Sequence, residues 1–366
     1  MHTPAIETLE IDAQGLEGIV LDVALPVLAA WARSVRVVGF RPSMGVSGLS
    51  PREVARLRTL GLATASRVTG AFEGANDFRL AFRAEMGMAL ALPSLGVEAD
   101  LGGHPLAPVV SDLTIASFGL PAGKSLTHRL RGFTHIRAAN AQGYGAHTLT
   151  ALGREFGLDL KITTLELGFE PQGLGSVSIA ASRNARPADR PVDWKDRGEL
   201  RSIHAVIGGV RPKVEQMDRL EAALREVFWE ARRIEPVIER LIMPGVDLGA
   251  FLQVDVECER GGATFMDVAG RSAAPLKVAR RAVRRALGFW DSSATCDEVT
   301  GIAALASAIA ARRAFKLSLV PSQGLSAALG LLRDIGAHIE EEEAQGLVTL
   351  KIAPSNVSVN LNSAEN

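Results

Sequence analysis

The chain of 366 residues has two cysteines, Cys258 and Cys296, and no apolar run long enough to cross a bilayer. Two cysteines in a chain of this length cannot make a disulfide framework, and their spacing excludes a CxxC metal site. They point to a reducing compartment. The richest apolar stretches, MALALPSLGV and GIAALASAIA, are far shorter than the roughly 20 residues that a membrane helix needs, and Pro or Arg interrupts or follows them. The opening residues, MHTPAIETLEID, have neither a basic nor an apolar leader pattern. The expectation is a cytoplasmic protein with no membrane contact. Charge of one sign is also lacking: 40 Lys and Arg stand against 41 Asp and Glu, a net charge of −1. A broad basic surface for non-specific nucleic-acid binding is therefore excluded, although a small basic site is not.

What is present is apolar periodicity. Apolar residues make up 47% of the chain, enough for a large core rather than disorder. Residues 1–40 read strand, glycine loop, helix, strand. LSPREVARLRTLGLATA follows as a helix, with Ser50 as N-cap, Pro51 at the first position and Glu53 completing a capping box. VTGAFEG and DFRLAF read as two short strands. The pattern recurs over residues 86–183, closing on the strands LKITTLELGF and GSVSIAASR. This is an internal repeat of βαβαββ units with helices packed on sheets, an α/β (α+β) fold class. The Pro-, Asp- and Arg-rich stretch at 183–200 reads as a loop or boundary. Beyond it, residues 200–289 read as a small inserted β-α-β-β-α domain with a hairpin through Gly261-Gly262. Residues 1–199 and 290–366 then form one discontinuous repeat core. PSNVSVNLNSAEN reads as a frayed end.

Four punctuated segments stand out: DAQGLEG (12–18), FRPSMGVSGL (40–49), RGFTHIRAAN (131–140) and GFEPQGLGSV (168–177). Glycines where a strand runs into a helix can cradle a phosphate on backbone N–H groups. The order and spacing of the four segments, and the place of the insert, resemble the RNA 3′-terminal phosphate cyclase family from about residue 6 to 352. The resemblance implies a specific chemistry. ATP adenylylates a histidine with a divalent metal assisting, AMP passes to an RNA 3′-phosphate, and the neighbouring 2′-hydroxyl closes a 2′,3′-cyclic phosphate. It also implies nucleotide or RNA-end contacts from Gln14, Glu17, Arg41, Thr134, Gly173 and Gly175.

The sequence departs from that pattern where the chemistry sits. The family's nucleophilic histidine aligns with Gly324 in VPSQGL, preceded by Gln323. No histidine lies between His204 and His338, so there is no imidazole to tune. Asp22 stands where the family has an arginine one turn into the first helix. Met44 and Val46 replace two basic positions after Arg41. Phe133 replaces the second glycine before Thr134, and Leu174 replaces a glycine in the late hairpin. The family contains a ribosome-biogenesis member that keeps the fold without the nucleophile. The Lys- and Arg-rich phosphate sites of the enolpyruvate transferases, which share a related repeat fold, are not visible.

Plainer readings stand beside these. AQGLEG also reads as an ordinary strand-to-helix turn, and Glu17 as a carboxylate favoured by the helix dipole. His128, His135 and His147 cluster in sequence near Arg131 and Arg137; His135 is an alternative nucleophile or else a polar loop histidine. Lys277, Arg280, Arg281, Arg284 and Arg285 share one helical face, which reads as an RNA-phosphate stripe or a solvated surface. EEEE at 340–343 reads as a solvated hairpin end. The expected function is a cyclase-like protein that has lost ATP-dependent cyclisation and acts on RNA by binding or processing, with RNA 3′ ends or an RNA-processing protein as partner. The alternative is an active divergent cyclase or nucleotidyl transferase using another nucleophile. ATP and Mg²⁺ or Mn²⁺ are implied only if the family chemistry survives.

Overall fold

The structure is a computed structural model that describes residues 8–41, 48–82, 96–136, 139–140, 146–169, 173–184, 191–246, 248–269 and 274–353. The positions of Met44, Val46 and Arg137, and the end beyond residue 353, lie outside the described residues.

Three units repeat one plan. In the first, β1 (Leu9–Asp12) leads to a helix that begins as α1 (Glu17–Ile19), widens into a π turn over Val20–Ala24 and continues as α2 (Leu25–Ala30). Next come β2 (Val35–Val38), α3 (Pro51–Ala63), β3 (Ser66–Thr69) and β4 (Phe78–Phe82). The capping box forms as read: Ser50 N–H donates to Glu53 Oε2 at 2.7 Å and Glu53 N–H donates to Ser50 Oγ at 3.4 Å. The second unit has β5 (Glu98–Pro105), α4 (Ala107–Ser117), β6 (Ser125–Phe133), the short pair β7 (His135–Ile136) and β8 (Ala139–Asn140), α5 (Ala146–Glu155), β9 (Leu158–Glu166) and β10 (Gly175–Arg183).

The third unit opens with β11 (Val192–Trp194), inside the stretch that the sequence reads as a boundary. Three residues are too few to show a period. The strand is fixed instead by its partner, β16 (Phe315–Leu319), to which Val192–Trp194 pair in parallel across some 120 residues of chain. Between them comes a separate four-stranded unit. It comprises β12 (Leu200–Val210), α6 (Val214–Arg232), β13 (Val237–Ile242), β14 (Gly249–Cys258), β15 (Gly262–Ala269) and α7 (Pro275–Ser292). The third unit then resumes with α8 (Glu298–Ala310), β16, α9 (Gln323–Asp334), β17 (Ile339–Ala344) and β18 (Leu347–Ile352).

The sheet orders make the repeat explicit: β1-β2-β4-β3, β5-β6-β10-β9 and β11-β16-β18-β17. In each, the first pair is parallel and the next two are antiparallel. The helices of the three units share one core, in which α8 packs against α2, α4, α5 and α9. That explains the apolar GIAALASAIA: a helix surrounded by other helices is apolar all round. The sheet β13-β12-β14-β15 has its own core, built with α6 and α7 from residues such as Ile207, Leu224, Leu252 and Val283. Its other face meets the second unit through Leu167, Phe169, Val210, Phe251 and Met266.

Candidate functional site

Gln14, Glu17 and Arg41 meet at the carboxyl end of the first parallel strand pair, where an open α/β sheet presents its binding loops. The loop turns through Gly15 at φ +77°. Glu17 Oε1 accepts from the backbone N–H of Gly15 at 3.1 Å and of Arg41 at 3.3 Å. Gln14 N–H donates to Asp12 Oδ1 at 3.0 Å. The amides of Gln14, Gly15 and Arg41 are thus engaged by the protein's own carboxylates. No group of three His, Cys, Asp or Glu side chains among the described residues has a metal-holding arrangement.

Asp22 does not face this loop as a bare charge. Its Oδ1 lies 2.6 Å from Arg56 Nη1. Arg56 is buried, and its Nε and Nη2 each donate to Asp112 at 2.6 Å. Nη2 also donates to the Leu21 carbonyl at 3.1 Å, within the π turn. Burial alone would lower the Arg56 pKa, but the two carboxylates outweigh it and hold the guanidinium charged. Burial pushes the Asp112 carboxyl up to about 6, against the pull of Arg56. This triad fastens the first helix to α3 and α4, and no spacing in the sequence announces it.

The second group is knitted as tightly. Thr134 Oγ1 accepts from Gly168 N–H at 2.8 Å, and the N–H groups of Thr134 and His135 both donate to the Gly168 carbonyl at 3.0 and 3.1 Å. Close approach explains the glycines here. A Cβ on Gly175 would lie 2.5 Å from Gly168 N and 2.7 Å from Thr134 Cγ2. Gly173 has φ +63°, and a Cβ there would lie 2.2 Å from the Phe133 ring. Phe133, which stands where the resemblance expects a glycine, therefore covers Gly173 with its ring. Leu174 is exposed beside it.

His135 is buried, not a loop histidine. Its ring centroid is 4.3 Å from that of Phe251 and 5.5 Å from that of Phe169, and Nδ1 lies 2.9 Å from Thr134 Oγ1. Burial lowers its pKa to about 3, so the imidazole is neutral near pH 7. His128 is buried too, and burial lowers it to about 4. His147 is exposed on α5, 3.4 Å from Glu257 of β14. It stands at one end of a polar cleft of about 760 Å³ between α5, β11 and the β14–β15 turn, also lined by Arg154, Asp193 and Arg201. The sequence did not single out Arg154 or Arg201, since the cleft forms only when three distant segments meet.

Gly324 lies in the first turn of α9, which Ser322 caps by accepting from Leu325 N–H at 3.0 Å. A Cβ on Gly324 would lie 2.2 Å from Glu298 Oε1. Asp297, one residue earlier at the start of α8, has a buried Oδ1 without a hydrogen-bond partner among the described residues, and burial raises its pKa. Glu298 thus reaches over the turn at Gly324, a position that itself offers no side chain.

The five basic residues of α7 are all exposed. They are not equivalent. Arg281 pairs with the buried Asp267 of β15. The Arg285 guanidinium carbon sits 5.2 Å from the centroid of the Phe265 ring. Lys277, Arg280 and Arg284 have no side-chain partner among the described residues.

Comparison with known proteins agrees with this architecture. The family model described as RNA 3′-terminal phosphate cyclase matches residues 18–312. The RNA 3′-terminal phosphate cyclase of Metallosphaera sedula is 26% identical over 200 residues, 54% of this chain and 56% of that protein. The chain thus spans little more than half the length of that relative. The family match begins at Gly18 and ends before α9, so Gln14, Glu17 and the Gly324 turn lie outside it.

Proposed function

This chain belongs to the RNA 3′-terminal phosphate cyclase family, and from that premise we propose that it keeps the fold as an RNA-binding or RNA-processing factor and has lost ATP-dependent cyclisation. The observation that supports the loss is the Gly324 turn. Adenylyl transfer needs a side-chain lone pair to attack the α-phosphorus and displace pyrophosphate. Gly324 has no side chain, the neighbouring Gln323 amide is not nucleophilic, and Glu298 fills the space above.

The first loop supports the same reading. Its Gly15 amide and the neighbouring Arg41 amide are engaged by Glu17, which takes these two donors away from a nucleotide phosphate. His135, the alternative nucleophile, is packed between two phenylalanines and neutral. RNA 3′ ends are the partner that the family membership favours. No helix among the described residues is long and apolar enough to cross a membrane. Both cysteines are free and buried, which is compatible with the reducing, cytoplasmic setting we assign.

The test is to incubate the protein with a 3′-phosphorylated oligoribonucleotide, ATP and Mg²⁺ or Mn²⁺. The expected result is retention of the RNA with no cyclised product. Turnover to a 2′,3′-cyclic phosphate would overturn the loss of activity, and absence of RNA binding would overturn the retained role.

A further inference from the structure

Helix α7 has two faces of opposite character. Val278, Ala279, Ala282, Val283 and Ala286 are buried in the core of the inserted unit. The opposite face carries five cations, and the structure divides them. Arg281 is held by Asp267, whose side chain is 6% exposed, and Arg285 by the Phe265 ring. These two are anchored to the sheet beneath. Lys277, Arg280 and Arg284 remain, at positions i, i+3 and i+7, which align along one side of a helix. With a rise of about 1.5 Å per residue they span roughly 10 Å of the helix axis.

Among the described residues these three form a row of cations with no side-chain partner, in a protein with net charge −1. Several exposed cations elsewhere on the surface do lie close to carboxylates: Arg36 to Glu10, Arg129 to Glu98, Arg225 and Arg240 to Glu221, Arg232 to Asp291 and Lys351 to Glu340. A stripe left unpaired in that setting suits an anionic partner that supplies charges in line. We infer that Lys277, Arg280 and Arg284 form a contact line for the phosphodiester backbone of single-stranded RNA. This rests on the RNA-binding reading above and names the surface that carries it.

Charge and shape decide between anionic partners. A basic amphipathic helix can also lie on an anionic membrane, but only by burying its apolar face in the lipid. Here that face is the core of the inserted unit and is not available. A phosphodiester needs only the exposed cations. Such contacts position a strand without reading its sequence. The stripe therefore predicts sequence-tolerant, salt-sensitive binding.

The experiment measures binding of oligouridylate against salt concentration for the wild type and for Lys277→Ala/Arg280→Ala/Arg284→Ala. Each phosphate contact on a single strand contributes about −0.7 to the slope of log K against log salt. The triple variant is expected to lose about 2 from the magnitude of that slope. Arg280→Lys/Arg284→Lys, which keeps the charges, is expected to keep the slope. As a charge-matched control, Arg36→Ala/Arg129→Ala/Lys351→Ala removes three cations from the core sheets and should also leave it unchanged. A wild type that binds RNA, with a triple variant of equal slope, would overturn this inference and leave the RNA-binding reading intact. A wild type that binds no RNA would overturn both. Binding to anionic vesicles with no preference for RNA would overturn the choice of partner.

Discussion

The repeat core and the inserted unit use arginine in opposite ways. In the core, Arg56 is buried between two carboxylates, and Arg183 is buried with its guanidinium donating to the Phe156 and Phe118 carbonyls at 3.1 and 3.0 Å. Both join elements that are far apart in sequence. In the inserted unit, α7 turns its arginines outward, and two of its five cations are anchored while three are not. The difference separates cations that build the fold from cations free to meet a ligand. Arginine content alone does not.

Substitutions that exchange these roles have very different expected effects. The largest falls on Arg56. Arg56→Ala leaves Asp112 buried and unpaired, and removing one partner of a buried pair costs about 3–5 kcal/mol. Chemical denaturation should show that loss; a cost under about 1 kcal/mol would mean that the triad does not fasten the core.

Gly173 comes next. Gly173→Ala places a Cβ at φ +63° and against the Phe133 ring. The expected destabilisation is about 2 kcal/mol, from the left-handed conformation and the forced ring shift. The double variant with Phe133→Gly should recover the steric part. No recovery would show that Phe133 is not what makes the site intolerant.

A third effect appears only on acidification. His128 has its folded pKa lowered to about 4 by burial. Between that value and the unfolded value near 6.5, the unfolded state binds the proton and the folded state does not. Stability therefore falls as pH drops through this window. From pH 7 to 5 the His128 contribution to the loss is about 2 kcal/mol. Asp112, with its pKa raised to about 6, takes up a proton earlier when folded and works the other way. The clean readout is therefore a difference: His128→Gln should lose about 2 kcal/mol less than the wild type over that range. Equal losses would contradict the buried, neutral assignment.

The smallest effect on stability belongs to the exposed line. Each of Lys277→Ala, Arg280→Ala and Arg284→Ala should change stability by no more than about 0.5 kcal/mol, the usual range for surface positions. A thermal melt that falls far more would place these side chains among the structural arginines and erase the contrast between the two regions.

Features legible in the sequence were those encoded within a few residues. Ser50 and Glu53 announced a capping box because its two hydrogen bonds span three residues. Gly261-Gly262 announced a hairpin, and the spacing of 277–285 a basic face. The repeat was legible because each unit carries its own alternation of periods. Other features depend on partners that only the fold supplies. Arg56 and Asp112 are 56 residues apart with no shared pattern. β11 is three residues long and exists through its pairing with β16. The seam of His135 on Phe251 joins the second unit to the inserted one. At the candidate site, a glycine at 324 could be read directly, whereas the bonds from the Gly15 and Arg41 amides to Glu17 could not. Side-chain direction at a turn is set by three-dimensional neighbours, here the chain arriving at Arg41.

The central claim is that this family fold no longer carries the covalent adenylyl step. Incubation of the purified protein with α-labelled ATP and Mg²⁺ or Mn²⁺, followed by a denaturing gel, tests it most directly. No labelled protein band is expected. A labelled band would contradict it and show a nucleophile in use, and its loss in His135→Ala would identify that residue.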